Sequence, residues 1–244
     1  MSKKTEVATT EDQLPDFLKN TGPARGAENV TADDLVIPRL ELVQALSPCR
    51  KKTDPAYIPG AEEGMLYNNV TRELYGESVE VIPVYFKKEY IVWKDRQSGG
   101  GFVGAFPTME EAEKARMGLD DPDSHTVNDT ANHFCLVLDG NGGVDEVVIS
   151  MSVTKLKISR KWNSLIRMTG RDSFAGKYRL GTAVEQNKQG QDYYNFSIAP
   201  AGYPSVELYK RAEALYNAIS EGSVSIDRST DQSTDAPEQS SSEF

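Results

Sequence analysis

The most basic stretch of the sequence, MSVTKLKISRKWNSLIRMTGR at residues 151–171, contains six Lys or Arg residues and no acidic residue. The whole chain carries a formal net charge of -10. At about 100° per residue, the pattern predicts an amphipathic helix over residues 153–169 with a basic outer face. Clustered cations in an acidic protein favour a polyanionic ligand, although a helix kept soluble by its charges is the simpler alternative. The predicted phosphate contacts in this segment are Lys157, Arg160, Lys161, Arg167 and Arg171.

The apolar face of this helix places Trp162 in the core. The basic run also continues beyond the helix, because residues 147–184 contain eight basic residues and one acidic residue. Lys177 and Arg179 therefore join the predicted phosphate-binding set.

Two strand-like segments, YFKKEYIVWKDR at 85–96 and QDYYNF at 191–196, interleave aromatic with polar or basic residues. Alternation along a strand would turn Phe86 toward the core and Tyr85 toward solvent. Exposed rings on a basic sheet can stack on nucleobases, at about 1–3 kcal/mol each, although core packing is an equal alternative for any one ring. The predicted DNA contacts in these segments are Tyr85, Lys87, Lys88, Tyr90, Trp93, Lys94, Arg96 and Tyr193.

No residue pattern indicates catalysis, a cofactor or a metal site. The two Cys residues, Cys49 and Cys135, are expected to be buried and unpaired, and two His residues provide no spaced zinc ligand set. GGGFVG at 99–104 and DGNGGVDE at 139–146 are better explained as hairpin loops than as dinucleotide or calcium motifs. DDPD at 120–123 is interpreted as an exposed acidic turn, and a metal-dependent nuclease using it is the least favoured possibility.

The acidity of the chain is concentrated at its ends. Residues 1–34 hold seven acidic and four basic residues, and residues 221–244 hold six acidic and one basic residue. Both segments are poor in apolar residues, so we predict disordered termini around a folded domain at 35–220. The last ten residues, DAPEQSSSEF, place their only aromatic residue, Phe244, at the end.

The folded region is predicted to be a β-rich α+β domain. Strand-like runs rich in β-branched and aromatic residues occur at 36–44, 77–86, 89–95, 102–106, 132–138, 144–151, 176–186 and 191–199, separated by SGGG, DGNGG and NKQG turns. These runs indicate an antiparallel sheet or barrel. Besides the basic helix, we predict helices over 108–117, with a Thr108 and Glu111 capping box, and over 203–220.

A β-rich body with a basic, aromatic surface and an acidic tail ending in Phe244 resembles the single-stranded DNA-binding proteins encoded by bacteriophages. The resemblance implies an OB-like antiparallel barrel elaborated with about three helices. It also implies that the tail competes with DNA for the basic surface and uses Glu243 and Phe244 to bind replication or recombination proteins. The tail is more diluted with Ser, Thr and Gln than is usual for that family.

We therefore expect non-sequence-specific binding and protection of single-stranded DNA during phage replication or recombination, in the host cytoplasm. No membrane partner is expected, and homo-oligomers are possible. The alternatives are a phage structural or host-interaction protein, whose helix contacts an acidic protein surface, and a recombination protein that anneals single strands.

Overall fold

The computed structural model describes residues 36–140, 142–187, 189–221 and 225–226. Almost all of the predicted terminal segments, including Glu243 and Phe244, lies outside these residues, and so does the side chain of Arg96. The strands are β1 (Val36–Ile37), β2 (Leu40–Leu42), β3 (Leu66–Asn68), β4 (Leu74–Gly76), β5 (Ser78–Lys94), β6 (Gly101–Phe106), β7 (His125–Leu138), β8 (Val144–Ser152), β9 (Lys177–Gln186), β10 (Asp192–Gly202) and β11 (Ser225–Ile226). The helices are α1 (Met109–Met117), α2 (Leu156–Met168) and α3 (Val206–Ser220).

The predicted β-rich α+β class with three helices and antiparallel sheets is confirmed. Five long strands follow the order β10–β9–β5–β7–β8, and β6 pairs with the far half of β5. The strands β9, β5, β7 and β8 are arranged as a Greek key: β5, β7 and β8 are antiparallel neighbours, β6 and α1 are inserted between β5 and β7, and β9 returns to lie beside β5. The barrel prediction needs correction, because no pairing between described strands joins β8 to β10 and the sheet is open.

The chain before β3 lies in the gap between β8 and β10. On the β8 side, the amide of Val148 donates a hydrogen bond to the carbonyl of Pro38 at 2.8 Å. On the β10 side, the side chain of Gln44 donates to the carbonyl of Tyr194 at 2.7 Å and accepts from its amide at 3.1 Å. The side-chain amide of Gln44 thus makes the two hydrogen bonds that a neighbouring strand would make with Tyr194. The gap is therefore bridged without continuous backbone pairing between strands.

Two apolar cores lie on opposite faces of the large sheet. One core, which we call the α2 core, contains Trp162 together with inward-facing residues of the large sheet and of the small sheet β2–β3–β4. The other, the α3 core, contains Ala212 and Leu215 of α3 against Ile82, Phe134 and neighbouring residues. The sheet is therefore covered on both faces over its central part.

Strand β5 is longer than predicted and contains a bulge. The two predicted strands at 77–86 and 89–95 are one strand of 17 residues, because pairing with β7 continues through the basic residues at its centre. The register with β7 shifts between Pro83 and Tyr85. A bulge of this kind reverses the faces that follow it. Tyr85 therefore packs against the α3 core, and Phe86 is 42% exposed, which is the reverse of the prediction.

The helix and turn predictions are largely confirmed. In α1, Thr108 accepts a hydrogen bond from the amide of Glu111 at 3.2 Å, and Gly118 follows the last residue. In α3, Ser205 caps the first turn, and the helix begins at Val206, three residues after the predicted start at 203. The hairpins β5–β6, β7–β8 and β9–β10 turn at SGGG, DGNGG and NKQG.

Cys49 and Cys135 are both buried and unpaired, as expected. No helix in the described ranges is long and apolar enough to cross a membrane.

Candidate nucleic-acid interface

Helix α2 is held on the sheet by its apolar face. Trp162 is fully buried in the α2 core, and Ile158, Leu165 and Ile166 pack around it. The predicted role of Trp162 as a core residue is therefore confirmed. The side chains on the other side of the helix are exposed because the sheet contacts only one face. The basic residues among them, together with one Arg three residues beyond the end of the helix, form what we call the α2 basic surface: Arg160, Lys161, Arg167 and Arg171.

The four members of the α2 basic surface form no ion pair with an acidic residue in the part of the chain that the structure describes. Their charges are consequently available to an external anion. An ion already paired inside the protein must give up that partner before it can bind a phosphate.

The predicted lysine contacts in the strands, by contrast, are mostly paired with carboxylates. Lys87 lies 2.9 Å from Glu89, and Lys88 lies 3.0 Å from Asp129. Lys94, at the end of β5, is half-buried.

Lys157 and Lys177 are also committed to internal contacts. The Nζ of Lys157 lies 2.7 Å from Glu185, and the Nζ of Lys177 lies 2.6 Å from Glu80. These bonds connect α2 to β9 and β9 to β5, respectively. Both lysines therefore have structural contacts that sequence alone did not indicate.

The basic run at 147–184 is divided between two faces of the sheet. Tyr178 and Leu180 of β9 are buried in the α2 core. Because side chains alternate along a strand, Arg179 points away from α2. Arg179 is exposed, but the fold does not bring it together with the α2 basic surface.

Glu185 holds the start of α2 against the β9–β10 hairpin. Its carboxylate accepts hydrogen bonds from Asn195 at 3.0 Å, Lys157 at 2.7 Å and the hydroxyl of Tyr193 at 2.7 Å. Burial alone would raise the pKa of this carboxyl, but the three donors outweigh burial and lower the pKa to about 2. The hydroxyl of Tyr193, a predicted DNA contact, is thus used in this network.

The other predicted aromatic contacts differ in accessibility. Trp93 is 8% exposed and packs edge-on against Phe102, with ring centroids 5.8 Å apart. Tyr85 contacts Phe134 and Tyr216 at the α3 core. Tyr90 is half-buried, and the Nζ of Lys88 lies 5.0 Å from its ring centroid. None of these residues is as exposed as Phe86, which the sequence pattern assigned to the core.

Phe86 lies at the outer end of a column of rings. Its centroid is 5.0 Å from that of His133, which stacks on Trp162 at 4.5 Å with an interplanar angle of 16°. His133 is almost completely buried and shares a 2.8 Å hydrogen bond with the hydroxyl of Ser159 in α2. Burial lowers the pKa of His133 to about 3, so the ring is neutral near pH 7.

Comparison with known proteins identifies one family. The family model described as "Pam3 phage gp34-like protein" matches residues 4–225, which is most of the chain. No curated protein and no solved structure matches the chain. The match supports the predicted bacteriophage context.

Proposed function

The chain belongs to the Pam3 phage gp34-like protein family, and we propose that it binds single-stranded DNA without sequence preference, using the α2 basic surface. The observation that carries this proposal is the group of exposed cations at Arg160, Lys161, Arg167 and Arg171, which have no acidic partner among the described residues. They lie on a chain with a net charge of -10. Unpaired cations grouped on an acidic protein favour a polyanion over a neutral ligand.

The strand arrangement supports the proposal. An OB-fold is a five-stranded, partly open Greek-key barrel that binds oligonucleotides. The path β10–β9–β5–β7–β8 contains five strands, includes a Greek key and is open between β8 and β10. We therefore propose an OB-like origin for this sheet, with the chain before β3 bridging its open side.

The acidic C-terminal segment has a regulatory role in this proposal. Residues 227–244 contain five acidic residues and one basic residue. Such a segment can occupy the α2 basic surface when DNA is absent, since opposite charges attract over about 8–10 Å at physiological salt. DNA would displace it, and Glu243 and Phe244 would then bind replication or recombination proteins of the phage or its host.

Titration of a labelled dT oligonucleotide at several salt concentrations tests the proposal. With four phosphate contacts, the plot of log affinity against log salt should have a slope of about -3. Arg167→Gln should make this slope shallower by about 0.7. Arg179→Gln is the matched control, because Arg179 is also exposed but lies on the other face of the sheet.

Failure of the protein to bind the oligonucleotide at low salt would overturn the proposal. A stable complex with an acidic phage or host protein, insensitive to DNA, would instead favour the structural or host-interaction role. Equal losses of affinity in the Arg167 and Arg179 variants would reject α2 as the binding surface while leaving DNA binding itself in place.

A further inference from the structure

The ring of Phe86, on the α2 face of the sheet, is more exposed than the other aromatic rings of β5. Trp93 is buried, Tyr85 packs in the α3 core, and the ring of Tyr90 lies under Lys88. Phe86 is 42% exposed, and the bulge in β5 turns it to the same face of the sheet as α2. Covering this ring would be favourable, because burial of an aromatic surface stabilises a complex.

The ring of Phe86 is also supported on one side, by a ring tilted 57° to it. It contacts His133, which in turn stacks on the buried Trp162. A ring supported in this way loses little conformational entropy when a second flat group covers it. The column therefore provides a preformed platform for a planar ligand.

Two hydrogen bonds bring this platform close to the cations of α2. Ser159, which bonds to His133, precedes Arg160 in the helix. The hydroxyl of Ser173 donates to the carbonyl of Val84 at 2.8 Å, which fixes the segment containing Arg171 beside β5, two residues from Phe86. A flat apolar surface bordered by cations matches the alternation of base and phosphate in a single strand.

We infer that Phe86 stacks on a nucleobase of the bound strand, on the face of β5 that α2 also occupies, while Arg160 and Arg171 contact the flanking phosphates. The inference rests on the proposed function and adds a cause for single-strand selectivity. Bases inside a duplex are stacked on each other and cannot lie on Phe86, whereas phosphates are present in both forms. The α2 basic surface alone would bind duplex and single strand with similar affinity.

The test compares a labelled dT oligonucleotide with an abasic strand of the same length, which keeps the phosphates and lacks the bases. The wild-type protein should prefer the dT strand. Phe86→Ala should weaken dT binding roughly 10- to 100-fold and abolish this preference, with an unchanged salt slope because no phosphate contact is lost. Phe86→Trp should restore the preference. Phe102→Ala is the matched control, because Phe102 is 37% exposed and lies in β6.

Each outcome separates the inference from the proposed function. If the wild-type protein binds dT and the abasic strand equally, or if Phe86→Ala keeps the preference for dT, Phe86 is not a stacking site, although DNA binding stands. If the wild-type protein binds neither strand, the proposed function itself fails. Phe86→Leu retains an apolar contact to His133 and loses the aromatic face, so it repeats the test if Phe86→Ala unfolds.

Discussion

At the scale of single residues, the buried ring of His133 is a titratable group in the middle of the ring column. Its pKa is lowered to about 3 by burial, whereas the usual value is 6.5. Above pH 6.5, the ring is neutral in both the folded and the unfolded chain. As the pH falls from 6.5 toward 3, the unfolded chain takes up a proton that the folded protein excludes, so the free energy of unfolding decreases.

We therefore predict that His133→Gln makes the free energy of unfolding less dependent on pH between 6.5 and 4.5, by up to one proton. Gln can still hydrogen-bond to Ser159 but does not titrate in this range. Urea unfolding at several pH values measures the slope. His125→Gln, at the more exposed start of β7, is the control and should keep the wild-type slope. An unchanged slope in the His133 variant would show that His133 is not responsible.

The sequence predicted which side chains are buried and which are exposed more accurately in α2 than in β5. The amphipathic pattern predicted both the burial of Trp162 and the exposure of Arg160 and Arg167, because helix periodicity fixes which side faces the sheet. In the strands, one bulge exchanged the faces of Tyr85 and Phe86. The pairing of Lys88 with Asp129 depends on the register between β5 and β7, which the sequence does not specify.

At the scale of elements, the open side of the sheet depends on a side chain. Gln44 uses both ends of its amide to pair with the backbone of Tyr194 in β10. One side chain thus donates and accepts the two hydrogen bonds that the backbone of an adjacent strand would supply to Tyr194. On the β10 side, the hydrogen bonds of the segment before β3 therefore come from this one side chain.

Gln44→Leu should lower the free energy of unfolding by about 1–3 kcal/mol, because the amide and carbonyl of Tyr194 lose their partners. Urea denaturation measures this change, and hydrogen exchange should show faster exchange of the Tyr194 amide. Gln97→Leu, in an exposed turn after β5, serves as the control and should have little effect. Equal stability of the Gln44 variant and wild type would mean that water replaces the amide at no cost.

The elements that could be predicted are those with strong local signals. Thr108 and Gly118 bracket α1, and glycine-rich turns mark three hairpins. The short strands β3 and β4 were missed because they contain three residues each and depend on pairing within the small sheet. The bridge made by Gln44 has no sequence signature, since it joins residues 150 positions apart.

At the scale of the whole molecule, charge is divided between the termini and α2. A chain lacking residues 227–244 should bind a dT oligonucleotide more tightly at low salt, because five acidic residues no longer compete for the α2 basic surface. The difference should shrink as salt rises, since screening weakens the competition.

A full-length variant in which the five acidic residues of 227–244 are replaced by Asn or Gln separates charge from length. It should bind as tightly as the truncated chain. If it binds like the wild type while the truncated chain binds more tightly, the tail acts by occupying space and not by its charge. If neither variant differs from the wild type, the tail does not compete with DNA.

The burial of both tryptophans has an optical consequence. The chain contains two Trp residues, and Trp93 and Trp162 are 8% and 0% exposed. Their emission should be blue-shifted and poorly quenched by acrylamide, and it should move to the red on unfolding. A strand lying on Phe86 would not touch either indole, so intrinsic emission reports the folded state, and an oligonucleotide carrying its own dye is the suitable probe of binding.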